Sequence, residues 1–152
     1  MNLPNLPATG RCRCGRVRFH ATSAPLFTSA CHCRGCQQMT GSAFSLSAAI
    51  PDYGFELVGG ETVPGGADHA YGHRFCGHCL SWVCTKSPRM QGFLNVRAPM
   101  FDDAGWIRPY LETWMEERLP FVQSGALRSF DRYPGLEMLP ALLADYAAWA
   151  RG

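Results

Sequence analysis

Three cysteines stand within six positions in the run Cys31-His32-Cys33-Arg34-Gly35-Cys36. That is too close for ordinary disulfide pairing and well spaced for closing around one metal ion. A Cys-x-Cys-x-x-Cys run brings three sulfurs onto a single tight turn, and Gly35 is expected to give that turn its backbone freedom. Two more close pairs flank it in the chain, Cys12/Cys14 before and Cys76/Cys79 after, while Cys84 stands alone. Zinc takes four ligands in a tetrahedron, with thiolate sulfur at about 2.3 Å. The two outer pairs can supply those four sulfurs between them, from segments far apart in the chain. Such a site would staple the first strand to the Cys76 turn and contribute on the order of 10 kcal/mol to folding. That is comparable with the whole stability of a domain. Four thiolates on a divalent ion leave a net charge of about −2, which the interleaved Arg11, Arg13, Arg16 and Arg18 would partly offset.

The central run is left with Cys31, Cys33 and Cys36. A metal held by three ligands, with a fourth position open to water or substrate, is the signature of a catalytic site. His32, His73, His78 or Cys84 could instead close it and make it structural. A single metal with the remaining thiols free is the third arrangement that the spacing admits. His32 and His78 lie inside the ligand turns, where orienting a ligand or bonding to backbone outranks ligation. His20 falls on a polar strand face and His69 in a glycine-rich loop. Cys84 reads as a small buried apolar residue.

The elements that must position these sulfurs are mostly strands. From Gly10 to Ala21 the residues alternate, with Val17 and Phe19 on one face and Arg16, Arg18 and His20 on the other, entered through the turn at Gly15. Leu26 to Ala30 approaches the three-cysteine run. Met39 to Ser42 reads as a turn, Ala43 to Ile50 as a buried strand and Phe55 to Val58 as a short one. Glu61 to Gly72 is rich in glycine and suits a loop or weak edge strand. Ala70 to Phe75, Trp82 to Cys84 and Gly92 to Val96 complete the strand pattern. Period alone does not separate helix from strand over Pro109 to Phe121, and Ser129 to Pro134 is loop. Leu139, Leu142, Leu143, Tyr146 and Trp149 recur at helical spacing, with Pro140 at the start and Gly152 at the end. That stripe is core or the contact of a homodimer, not a cofactor site.

Size and composition bound the rest. The 152 residues suit one domain, and 47% hydrophobic with 17% charged residues suits a soluble globular one. A net charge of +2 gives no reason to expect nucleic acid. The arginines near the start alternate and stop, as on a solvated strand face. No apolar run approaches the roughly 18 residues of a membrane span. The first ten residues carry neither a basic nor an apolar signal region, so the cytoplasm is expected. In that reducing compartment clustered cysteines point to metal or redox chemistry, not to a disulfide framework.

Three motifs in order, Gly10-Arg11-Cys12-Arg13-Cys14-Gly15-Arg16-Val17-Arg18-Phe19, Cys31-His32-Cys33-Arg34-Gly35-Cys36 with Thr40-Gly41-Ser42-Ala43-Phe44, and Arg74-Phe75-Cys76-Gly77-His78-Cys79-Leu80-Ser81, carry a resemblance. The chain resembles the glutathione-dependent formaldehyde-activating enzyme family, whose domain centromere protein V shares. The likeness runs from about Gly10 to Pro134, more weakly over Leu94 to Asp103 and Arg118 to Phe121. It implies a mainly β fold, a β-tent of small antiparallel sheets stapled by zinc, to which the C-terminal helix is an addition. It divides the chain into an arm at 1–9, the zinc-binding domain at 10–134 and the helix at 135–152, packed on the same domain. It implies two zinc ions: a structural one on Cys12, Cys14, Cys76 and Cys79, and a second, catalytic one on Cys31, Cys33 and Cys36. The implied reaction is that of a carbon–sulfur lyase handling a small aldehyde–thiol adduct such as S-hydroxymethylglutathione, with glutathione or a related thiol and formaldehyde as partners. The alternatives are a zinc-stapled binding module without turnover and, last, a thiol-based redox or metal-storage protein. Two features depart from the family pattern: Gln37-Gln38 where basic residues are usual, and Leu80 where glycine is.

Overall fold

The computed structural model describes residues 2–152. The alternating N-terminal stretch folds as a hairpin, not as one strand. β1 (Ala8–Arg11) pairs antiparallel with β2 (Arg18–Ala21), placing Gly10 opposite Phe19. The connecting turn is closed by the Cys12 amide donating to the Val17 carbonyl (3.0 Å) and the Gly15 amide to the Cys12 carbonyl (2.9 Å). Gly15 takes φ 77°, a conformation that suits glycine. β5 (Phe55–Gly59) adds to β2 and completes a three-stranded sheet.

The larger sheet contains β3 (Phe27–Cys31), β4 (Ser45–Pro51), β6 (Thr62–Pro64), β7 (His73–Cys76), β8 (Trp82–Thr85), β9 (Phe93–Arg97), β10 (Leu111–Thr113) and β11 (Arg128–Ser129). Their order is β11-β10-β3-β4-β9-β8-β7-β6. Every pairing is antiparallel except those of β10, which runs parallel to both β3 and β11. The sheets are antiparallel as expected, with the one exception of β10. A parallel neighbour cannot be reached through a hairpin, and β10 arrives beside β3 only after six intervening strands and the loop after β9. The ambiguous stretch from Pro109 resolves as β10 followed by a 3-10 turn at Met115–Glu117. Trp114, at φ 58°, ends the strand.

The apolar faces of the two sheets meet. Phe19 and Ala21 from the small sheet, Val17 from the turn before β2, and Ala48, Ile50, Val83 and Val96 from the large sheet are all fully buried. Phe19 stacks on Phe55 and meets Phe101 edge-on, both with centroids 5.3 Å apart. A second cluster lies beneath α2 (Leu139–Arg151), where Leu142, Tyr146 and Ala150 pack on Tyr110 and Leu111. The helical stripe is core. The Asn2 amide donates to the Ala150 carbonyl (2.9 Å), which ties the start of the chain to the end of this helix.

One element was not legible beforehand. α1 (Arg34–Thr40) follows the three-cysteine run directly and ends at Gly41, in a left-handed cap. Gly35 lies in the first turn of this helix and has no positive φ, so the freedom expected of it is not used. A Cβ there would meet Cys33 Sγ at 3.9 Å, an ordinary contact. No helix is long and apolar enough to cross a membrane among the described residues.

Candidate metal centres

Eight free thiols fall into a group of four, a group of three and Cys84. The β1–β2 turn carries Cys12 and Cys14; the β7–β8 turn carries Cys76 and Cys79. Their sulfurs all lie within 4.8 Å of one another, with Cys12 and Cys14 3.4 Å apart and Cys14 and Cys76 3.8 Å apart. The edge of a tetrahedron with 2.3 Å metal–sulfur bonds is about 3.8 Å, so this set fits a zinc ion. Because one turn belongs to each sheet, an ion held by this group would tie the two sheets together. Backbone amides face the sulfurs: Val17 donates to Cys12 and His78 to Cys76, each at 3.4 Å. The Ser81 hydroxyl lies 3.2 Å from Cys79 Sγ and, with the backbone amides there, draws the Cys79 thiol down to about 5 against the cost of burial. Arg11, Arg13, Arg16 and Arg18 are all exposed around this end of the molecule, as a solvated strand face requires.

The second group sits where β3 gives way to α1. Cys31 ends β3, opposite Ser45 on β4 and Thr113 on β10. Cys33 caps α1, its sulfur accepting from the Cys36 amide at 3.3 Å. The buried Cys36 takes a hydrogen bond from the Ser45 hydroxyl at 3.1 Å. Hydrogen bonds from Cys33 and Cys36 hold the Cys31 thiol down to about 3. The same contacts push Cys33 and Cys36 up, because a second and third charge cannot form beside the first. Sulfurs that compete for protons at one point are a donor set that a divalent cation can satisfy together.

Buried polar side chains frame this loop. His32 is fully buried and its Nε2 donates to the Glu112 carboxylate at 2.9 Å. Glu112 also receives the Ser124 and Ser129 hydroxyls at 2.6 and 2.7 Å. Burial raises its pKa, yet these two hydroxyls and His32 outweigh burial and hold it below its ordinary 4.5. Gln37 donates through Nε2 to the carbonyls of His32 (2.6 Å) and Glu117 (3.0 Å). Its amide is thus spent inside the loop, which gives a physical reason for a neutral side chain at that position. Arg97, at the end of β9, donates to the Ser45 hydroxyl (3.2 Å) and the Asn95 carbonyl (3.3 Å) and lies over the Trp82 ring at 4.1 Å. Burial lowers its pKa from the ordinary arginine value, and Cys36, Cys84, Cys31 and Tyr71 oppose that.

Of the four residues that could have closed the three-cysteine site, none joins the group. His32 is committed to Glu112, His73 Nδ1 lies 2.9 Å from the Thr85 hydroxyl, His78 belongs to the other turn and Cys84 is buried outside both clusters. Aromatic rings continue from the Trp82 side: His73 meets Trp82 edge-on at 5.1 Å, Tyr71 lies 4.7 Å from His73, and the Tyr71 and Tyr133 hydroxyls are 3.4 Å apart. Tyr133 in turn meets Trp114 edge-on at 5.7 Å. Burial lowers the His73 pKa, Arg97 adds to that, and Cys33 and Asp68 oppose it.

The structure brings the seven cysteines singled out in the sequence into groups of four and three that could hold metal ions, and leaves His32 outside both, bonded to Glu112. Sequence reasoning missed Gln37, Ser45, Arg97 and Glu112. The available signal was weak, an ionic residue beside strand-forming neighbours: Arg97 after Leu94-Asn95-Val96, and Glu112 between Leu111 and Thr113.

Fold and site together define a mainly β protein of two sheets with two cysteine clusters, each of which could hold a metal ion. The model of the glutathione-dependent formaldehyde-activating enzyme family matches residues 7–117, and the chain belongs to that family. Membership supports a formaldehyde-activating function. No curated protein matches the chain. Among solved structures it is similar to a crystal structure of a Rhodobacter sphaeroides protein, at 16% identity and TM-score 0.49 over 80% of this chain and 98% of that one.

Proposed function

We propose that the protein is a zinc-dependent carbon–sulfur lyase that reversibly joins a small aldehyde to a small thiol, with S-hydroxymethylglutathione as the adduct. Cys12, Cys14, Cys76 and Cys79 hold a structural zinc; Cys31, Cys33 and Cys36 hold the reacting one. The observation that carries this reading is the convergence of three sulfurs without a fourth cysteine, histidine or carboxylate donor in the group among the described residues. A zinc ion bound there would keep a thiol deprotonated and polarise an aldehyde oxygen. In the joining direction the thiolate sulfur attacks the carbonyl carbon, a C–S bond forms, the C=O π bond breaks, and the oxygen takes up one proton, matching the one the thiol gave up. The lyase direction is the reverse. No cofactor is consumed and no redox change occurs.

The chain's own residues do the positioning. Glu112, through His32, fixes the loop between Cys31 and Cys33, while Gln37 ties the start of α1 to the Glu117 backbone. The rings of Tyr71, His73 and Trp82 form a continuous aromatic run that reaches the cluster through Arg97 and Ser45. A cytoplasmic location, where glutathione is abundant and thiols stay reduced, is consistent with eight free cysteines. The test is exchange NMR of formaldehyde with glutathione, with and without the two-zinc protein. Accelerated exchange between free aldehyde and adduct is expected. No acceleration at micromolar protein would remove this substrate pair.

A further inference from the structure

Arg97 is the one buried arginine or lysine among the described residues, and it makes no ion pair with a carboxylate there. A guanidinium does not lose its proton in a protein, so burying it demands an opposite charge. Its direct contacts are neutral: the Ser45 hydroxyl, the Asn95 carbonyl and the Trp82 face. The Trp82 ring holds the cation, and its Nε has no partner. Ser45 is the connection, receiving from Arg97 at 3.2 Å and donating to Cys36 Sγ at 3.1 Å. Three thiolates on a divalent ion carry a net charge of about −1, which is the one charge that Arg97 lacks. The four-cysteine cluster has no such buried partner; its neighbouring arginines are exposed.

We propose that Arg97 is the counter-cation and positioning residue of the three-thiolate metal centre, held by Trp82 and linked to the sulfurs through Ser45. This rests on the reading that Cys31, Cys33 and Cys36 bind an ion. It has a consequence of unusual sign. Without the second ion Arg97 is an uncompensated buried charge that works against folding; with the ion it is neutralised and strengthens binding.

The test is a zinc titration of the one-zinc protein, followed by chelator competition and thermal melting, on wild type, Arg97→Met, Arg97→Lys and Ser45→Ala. Arg97→Met should weaken the second site by ~10- to 100-fold, the range for residues that support metal ligands, and leave the four-cysteine site unchanged. Arg97→Lys keeps the charge and should recover most of that loss. The one-zinc Arg97→Met protein should melt no lower than one-zinc wild type, an outcome a merely structural arginine would not give. Ser45→Ala should weaken the same site by a smaller factor. Where Arg97→Met does not fold, Arg97→Gln supplies the neutral variant. Wild-type affinity in the neutral variant, or a lysine variant no better than it, would overturn the inference while leaving the proposed function standing. A wild-type protein that takes up only one ion would overturn both.

Discussion

The two cysteine clusters contain the same ligand atom and differ in almost everything around it. The four-cysteine cluster draws on turns 62 residues apart, one from each sheet, and its stabilising groups are backbone amides, Ser81 and exposed arginines. The three-cysteine cluster is local in sequence, yet side chains from four other places converge on it: Ser45 of β4, Arg97 of β9, Glu112 of β10 and Gln37 of α1. A site whose ligands are distant gains its value by closing the chain, and needs little support once closed. A site whose ligands are adjacent closes almost no loop, so loop closure does not account for its buried polar frame. β7 runs from His73, whose pKa the Cys33 charge draws up against burial, to Cys76 of the four-cysteine group, about 10 Å away at strand spacing.

Breaking the comparison at its strong end should have the largest effect. Cys76→Ser removes one of four long-range ligands and should cost on the order of 10 kcal/mol of folding free energy, seen as loss of cooperative unfolding by circular dichroism. Retained cooperative unfolding with unchanged metal content would show that the cluster is not a staple. The buried frame of the other site offers a milder cut. Glu112→Gln should cost about 2 kcal/mol at neutral pH, the scale of a hydrogen bond to a charged group. Because the folded pKa of Glu112 lies below its ordinary 4.5, its contribution is present above that pH and is lost as pH falls through the folded value. Urea-melt stabilities of wild type and Glu112→Gln should therefore converge on acidification. A gap that stays constant with pH would contradict the ionised network. The smallest effect belongs to Leu80, which follows the last ligand of the first cluster at φ 57°. Glycine adopts that conformation without steric cost, so Leu80→Gly should raise stability by up to ~1 kcal/mol, read as a modest increase in melting temperature.

The difference between the clusters also explains what could be read in advance. Ligand spacing is a local property, so Cys12/Cys14, Cys76/Cys79 and Cys31/Cys33/Cys36 were legible one motif at a time. The strands were legible wherever burial alternates, as at Phe19 and Ala21 against Arg18 and His20. What stayed hidden was tertiary. α1 begins inside the ligand run, with a cysteine as its cap and no charged residue in its first or last turn beyond Arg34. β10 is three residues long and owes its state to pairing with β3 and β11, which no local period records. Ser45, Arg97 and Glu112 act across strands far apart in the chain, and a serine or arginine at a strand end looks like any solvated residue until its neighbours are known.

The most direct measurement is zinc content per chain, together with the far-ultraviolet circular dichroism spectrum, for wild type and Cys33→Ser purified without added metal. Two separable centres require two ions in the wild type, and one ion with an unchanged spectrum and melt in the variant. A single ion in the wild type, or loss of the fold along with the ion when Cys33 is replaced, would contradict the division of this molecule into a staple and a reacting site.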